Sequence, residues 1–193
     1  MISNRIPALA VGVLLFFCCG FPAGSAVGLE LALDRFASGD WLACRREALR
    51  IALNAPTQTL ARVLADTAGL RLKSANADAL LCDLEKVTEE KQITAGTRAL
   101  AAYEAGCARR QAGNFSSAFD DFNKAFFLAA DTELFARCGA ALLALRRDHP
   151  GAGAPNPTLT TLLDSLASAL PPAMLREDTD TQTAWLHQPV DWI

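Results

Sequence analysis

Six cysteines and two histidines are the residues of this 193-residue chain with the widest chemical range. Thiols can bridge, ligate a soft metal or act as nucleophiles, and imidazoles can ligate metals or move protons near neutral pH. Cys18 and Cys19 lie in an apolar stretch, which leaves Cys44, Cys82, Cys107 and Cys138 for the rest of the chain. None of these forms a C-x-x-C pair, and neither His149 nor His187 stands at a metal-ligand spacing from any of them. His149 lies beside a loop proline and His187 in the carboxyl-terminal tail, each without a recognisable base partner, so a solvated surface role is expected for both. There is no H-E-x-x-H, G-x-S-x-G or P-loop, and Gly151-Ala152-Gly153 lacks the rest of a dinucleotide fingerprint. The expectation is a chain without catalytic residues, metal or cofactor, with a thiol-based enzyme as the remaining catalytic reading.

The elements that carry these residues are read from composition and period. Ala occurs 37 times and Leu 29, against 6 Val and 5 Ile, a mixture that favours helix over strand. One core is expected at this length. Eighteen basic and 21 acidic side chains give a net charge of -3 with no long run of either sign, which argues against a nucleic-acid partner.

Arg5 is the only charge before Glu30, so residues 6–29 are uncharged, with the continuous apolar centre AVGVLLFFCCGF. A positive start, an apolar run and the small residues Ala23-Gly24-Ser25-Ala26 match a secretory signal cut after Ser25 or Ala26. Two further readings stay open: a membrane anchor using residues 6–26, since roughly 20 apolar residues span a bilayer, and a lipoprotein signal at Cys18 or Cys19. Residues 1–26 are thus expected to be a signal peptide or anchor, and the protein to be exported, periplasmic or secreted, or held at the membrane. Cleavage near residue 26 leaves four cysteines, an even number in a compartment that permits disulfides.

Gly39-Asp40-Trp41 and Gly113-Asn114-Phe115 are similar turns 74 residues apart. Steps of 37 from Gly39 reach Asn76, Gly113 and Pro150, each in a breaker-rich patch, which predicts four stacked helical hairpins. Between the patches the helical period predicts helices at 29–38, 41–54, 57–73, 77–91, 95–112, 115–129, 132–147 and 158–170. Phe115, Phe119, Phe122 and Phe126 fall on one helical face, and core packing is expected for them. Residues 150–157, PGAGAPNP, cannot continue a helix, and the last helix is expected to cap the stack. Residues 173–193 form an acidic, then aromatic, tail.

Residues 99–130 resemble a tetratricopeptide repeat: Gly106 at the eighth position, Gly113 at the turn, Phe115 two residues on, Ala118 at the small twentieth position, then Phe122 and Ala125. Gly39, Trp41, Cys44, Ala48, Ile51 and Pro56 resemble the second half of the same pattern, and a partial match begins at Phe135 with Cys138-Gly139 and Leu142. Arg109, Ala102 and Ala130 depart from the usual Tyr, Trp and closing Pro. The resemblance implies an all-α solenoid of about four antiparallel hairpins over residues 27–172.

It also implies that first helices line a concave groove, formed here by Leu100, Tyr103, Glu104, Cys107, Arg110, Glu133 and Arg137. On neighbouring first helices Cys107 and Cys138, 31 residues apart, become a candidate disulfide, and Cys44 with Cys82, 38 apart, a less secure second one. The competing reading is that cysteines fill small buried slots. The pairs Arg45-Arg46, Arg109-Arg110 and Arg146-Arg147 are expected to be a scattered solvated face. The expected function is a noncatalytic interaction or scaffold module of the cell envelope that holds a protein or peptide in its groove. The alternative is a self-assembling homo-oligomer subunit, with Trp185 and Trp192 of one tail entering a neighbour's groove.

Overall fold

The computed structural model describes residues 23–54, 58–129, 132–153 and 156–169, with the side chains of 23–27 and 132–133 left aside. The described residues form eight helices and no strand, so the fold is all-α as expected. They are α1 (Ala23–Ala37), α2 (Trp41–Asn54), α3 (Thr59–Arg71), α4 (Ala77–Glu89), α5 (Ala95–Gln111), α6 (Phe115–Leu128), α7 (Thr132–Asp148) and α8 (Pro157–Ala169). Helical periodicity located every helix, and all boundaries fall within two residues except the start of α1, which begins at Ala23 rather than 29. The small residues there carry little periodic signal, so pattern reading starts too late. Residues 1–22 and 170–193, with the signal or anchor reading and Trp185 and Trp192, lie outside the described residues.

Three of the connections are built alike. After α1, Asp40 N–H donates to the Arg35 carbonyl and Gly39 N–H to that of Phe36. After α3 the same pair of bonds runs from Ser74 to Gly69 and from Lys73 to Leu70, and after α5 from Asn114 to Arg109 and from Gly113 to Arg110. This is the Schellman closure, which needs a left-handed residue just past the helix. Gly39 (φ 72°) and Gly113 (φ 78°) adopt it freely, whereas Lys73 (φ 53°) adopts it at a steric cost. Asp40 then caps α2 through Ala43 N–H (3.2 Å) and Asn114 caps α6 through Ser117 N–H (3.4 Å). The odd-numbered helices start at residues 23, 59, 95 and 132, steps of 36, 36 and 37 residues.

Each helix packs on the next, and α1 also meets α3, α3 meets α5, and α5 meets α7. The buried side chains divide into two clusters. One, carried by α1 to α5, centres on Leu64, Leu84, Ala48 and Ala101. The other, carried by α5 to α8, centres on Phe122, Phe126, Leu142 and Leu163. Helix α5 belongs to both, and its nine residues Ala99–Cys107 are all buried. Phe119, Phe122 and Phe126 are buried as the stripe predicts, and Phe115 packs at the margin. Gly106 lets α6 come close: a β-carbon there would stand 2.9 Å from the fully buried Phe122 ring.

Candidate functional site

The face expected to form an open groove is closed. Leu100, Tyr103, Glu104, Cys107 and Arg137 are each 5% exposed or less, Arg110 is half-buried, and the Glu133 side chain lies outside the described residues. The physical reason is that α5 packs against α3, α4, α6 and α7, so the side assigned to a ligand is already occupied. The sequence does carry that signal. Ala99 to Cys107 is apolar or small nearly all round the helix, the mark of a helix without a free face.

The carboxylate on this buried face is paired within the protein. Arg71 of α3 donates to Glu104 of α5 at 2.7 Å, with the two side chains 10% and 5% exposed, and the Arg71 guanidinium lies 5.8 Å from the centre of the Trp41 ring. The Glu104 carboxylate beside it pushes the Arg71 pKa up against the opposing effect of burial. The Tyr103 hydroxyl is buried near the Cys107 thiol but makes no hydrogen bond of good geometry, and burial pushes its pKa well up.

Neither expected disulfide is present: Cys44, Cys82, Cys107 and Cys138 are free thiols. Cys44 is buried on α2, its thiol 4.0 Å from the Leu64 carbonyl, while Cys82 is exposed on α4, so these two cannot meet. Cys107 and Cys138 share one core, but α5 packs mainly on α6 and touches α7 over only a short stretch, and the thiols are not at bridging distance. The slot-filling reading fits all three buried thiols. Burial pushes Cys44 up to about 12 and raises Cys107 and Cys138, which leaves them protonated and weakly nucleophilic.

Four arginines of the three pairs sit beside carboxylates of the same chain. Arg109 is held between Asp121 (2.6 Å) and Glu85, Arg46 lies beside Glu47, Arg146 reaches Asp164 (3.2 Å), and Arg147 reaches Asp148 (2.7 Å). Asp121 is raised by burial despite Arg109. Among the described residues no three His, Cys, Asp or Glu side chains gather into a metal-binding group, and no helix is long and apolar enough to cross a membrane.

Among the described residues, one concavity lies where the α7–α8 connection crosses α6. It is a cleft of about 400 Å³ lined by Phe119, Arg146, His149, Pro150, Gly153, Asn156, Leu159, Thr160 and Leu163. Its walls follow from the breaker-rich sequence. Pro150 and Gly151 end α7, Ala152 N–H turns back to the His149 carbonyl at 2.8 Å, and Asn156 Oδ1 accepts from Leu159 N–H at 3.1 Å to start α8. Gly153 lies so close to Phe119 that a β-carbon would stand 2.3 Å from its ring.

His149 is half-buried rather than fully solvated. Its ring stacks on Phe115 with centres 3.5 Å apart and planes 12° apart, and it forms part of the cleft wall. Phe119, Leu159 and Leu163 supply an apolar floor, and Arg146, Asn156, Thr160 and His149 a polar margin. The lining holds neither a thiol nor a carboxylate. Such a site can seat an apolar side chain and offer hydrogen bonds beside it. Sequence reasoning saw the loop and the phenylalanines but could not foresee their meeting.

In comparison with known proteins, no protein-family model, curated protein or solved structure matches this chain.

Proposed function

We propose that this chain is a noncatalytic interaction module of the cell envelope, exported or membrane-held, that binds a segment of a protein partner. The observation that carries the reading is the α6–α7–α8 cleft, with apolar Phe119, Leu159 and Leu163 below a margin of Arg146, His149 and Thr160. This chemistry suits an apolar side chain next to backbone carbonyls or a carboxylate. The repeat-like stacking proposed from the sequence is supported by the regular starts of the odd helices and by their contacts in a row. The uncharged stretch at residues 6–29 supports export or anchoring.

Thr160 is half-buried in the cleft wall, so Thr160→Trp fills the space without removing a core residue. Full-length tagged protein is purified from the envelope beside Thr160→Trp and Arg146→Ala, with circular dichroism and Tm as folding controls. A stoichiometric partner retained by the parent and lost by both folded variants is the expected result. Recovery of the chain alone, or of a partner that both variants keep, overturns the proposal.

A further inference from the structure

Helix α2 turns its core side inward through Cys44, Ala48 and Ile51. At 100° per residue the opposite side carries Leu42, Arg46, Leu49 and Leu53, with Arg50 at its edge. A surface helix normally places polar residues there. Here the leucines are 72%, 44% and 80% exposed and form one stripe, spaced seven and four residues apart. Arg46 and Arg50 flank the stripe, and both share Glu47, at 3.4 and 3.1 Å, which leaves the group with one net positive charge. A stripe of leucines facing outward costs solubility and contributes nothing to the core, so its explanation lies outside the described residues.

The position of the stripe indicates what covers it. Gly28 of α1 lies against Ile51 and Arg50 of α2, so the two helices run antiparallel and the carboxyl end of α2 stands beside the beginning of α1. Leu49, Arg50 and Leu53 therefore sit next to the point at which the uncharged stretch of residues 6–29 enters α1. A bilayer that takes up the apolar part of that stretch meets this end of the hairpin first. Leucines that enter the headgroup boundary beside arginines that reach lipid phosphates are the side chains of a helix lying on a membrane surface. We infer that the outward face of α2 rests on a phospholipid bilayer, with Leu42, Leu49 and Leu53 in the interface and Arg46 and Arg50 at the phosphates. This contact rests on the membrane-held form of the reading above, is separate from the α6–α8 cleft and does not depend on a protein partner.

The test uses the full chain, apolar stretch included, reconstituted in vesicles of phosphatidylcholine and phosphatidylglycerol. Photoreactive benzoylphenylalanine replaces Leu49, Leu53 or, as a control, Leu162 of α8, which is also exposed. After irradiation the adducts are identified by mass spectrometry. Lipid adducts several-fold more abundant at 49 and 53 than at 162, and reduced by Arg46→Glu with Arg50→Glu, are expected. Equal lipid labelling at all three positions, adducts to a second copy of this chain, or no adducts at 49 and 53 each overturn the inference. Circular dichroism of every variant checks that α2 remains folded, and because the positions replaced are exposed, folding is expected to survive.

Discussion

At the scale of single residues, buried charge sets the sharpest expectations. The Arg71–Glu104 pair has lost most of its water, so removing one member leaves the other as an uncompensated charge. Glu104→Gln is expected to lower stability by about 3 kcal/mol, read as a fall in the urea midpoint, whereas Arg71→Met with Glu104→Leu loses much less. A double replacement as damaging as the single one would show that the pair contributes net stability. Asp66 of α3 behaves differently. Burial first, and then the charge of Asp83, raise its pKa from 3.8 to about 6, with Arg62 and Arg45 opposing. The folded state then holds a proton that the unfolded state releases between these values, so stability falls as pH rises through that window. Asp66→Asn is expected to match the parent below pH 3.8 and to exceed it above pH 6, by about 1 kcal/mol after solvent screening is allowed for. Urea denaturation at acid and neutral pH measures this, and an equal difference at both values would refute the assignment.

At the scale of elements, the chain's own variation supplies the experiment. The same closure occurs after α1, α3 and α5, but glycine provides the left-handed residue in two of them and Lys73 in the third. Lys73→Gly is therefore expected to stabilise by about 0.5–1 kcal/mol, since it relieves a backbone cost without removing a packed side chain. Gly113→Ala is expected to destabilise by a similar amount or more. Thermal unfolding of the two variants checks the opposite signs. Gly106→Ala should also destabilise, because its methyl group meets the buried Phe122 ring, and overpacking of about 1–3 kcal/mol exceeds the gain in helix propensity. These connections were legible in the sequence, since Gly39-Asp40 and Gly113-Asn114 join a helix stop to a helix cap in two residues. Lys73 was not, because a lysine announces no left-handed backbone, and the step of 37 residues placed that turn at Asn76 instead. Helix positions were readable from local spacing, whereas the closed face of α5 depends on four neighbouring helices and the cleft on an approach of Gly153 to Phe119 across the fold. The resemblance to a repeat supplied a groove by analogy, and the alanine-rich run Ala99–Cys107 already argued against an open one.

At the scale of the whole molecule, the two buried clusters meet at α5, which gives Ala101 and Ala105 to one and Ala102 and Tyr103 to the other. Because each helix contacts mainly its neighbours along the chain, a defect placed in one cluster should weaken that half first. Ile51→Val removes one methyl group from the first cluster at a cost of about 0.5–1.5 kcal/mol, and Phe122→Leu reduces the second by about 1–2 kcal/mol. Native-state hydrogen exchange is expected to show lost protection in α1 to α4 for the former and in α6 to α8 for the latter, with α5 affected by both. The outcome bears directly on how the two proposed surfaces relate. The outward face of α2 belongs to the first half and the α6–α8 cleft to the second, so confined losses mean that either surface can loosen while the other holds its shape. Loss of protection across all eight helices from either substitution would mean that the clusters open as one unit, and that occupation of one surface stabilises the other through α5.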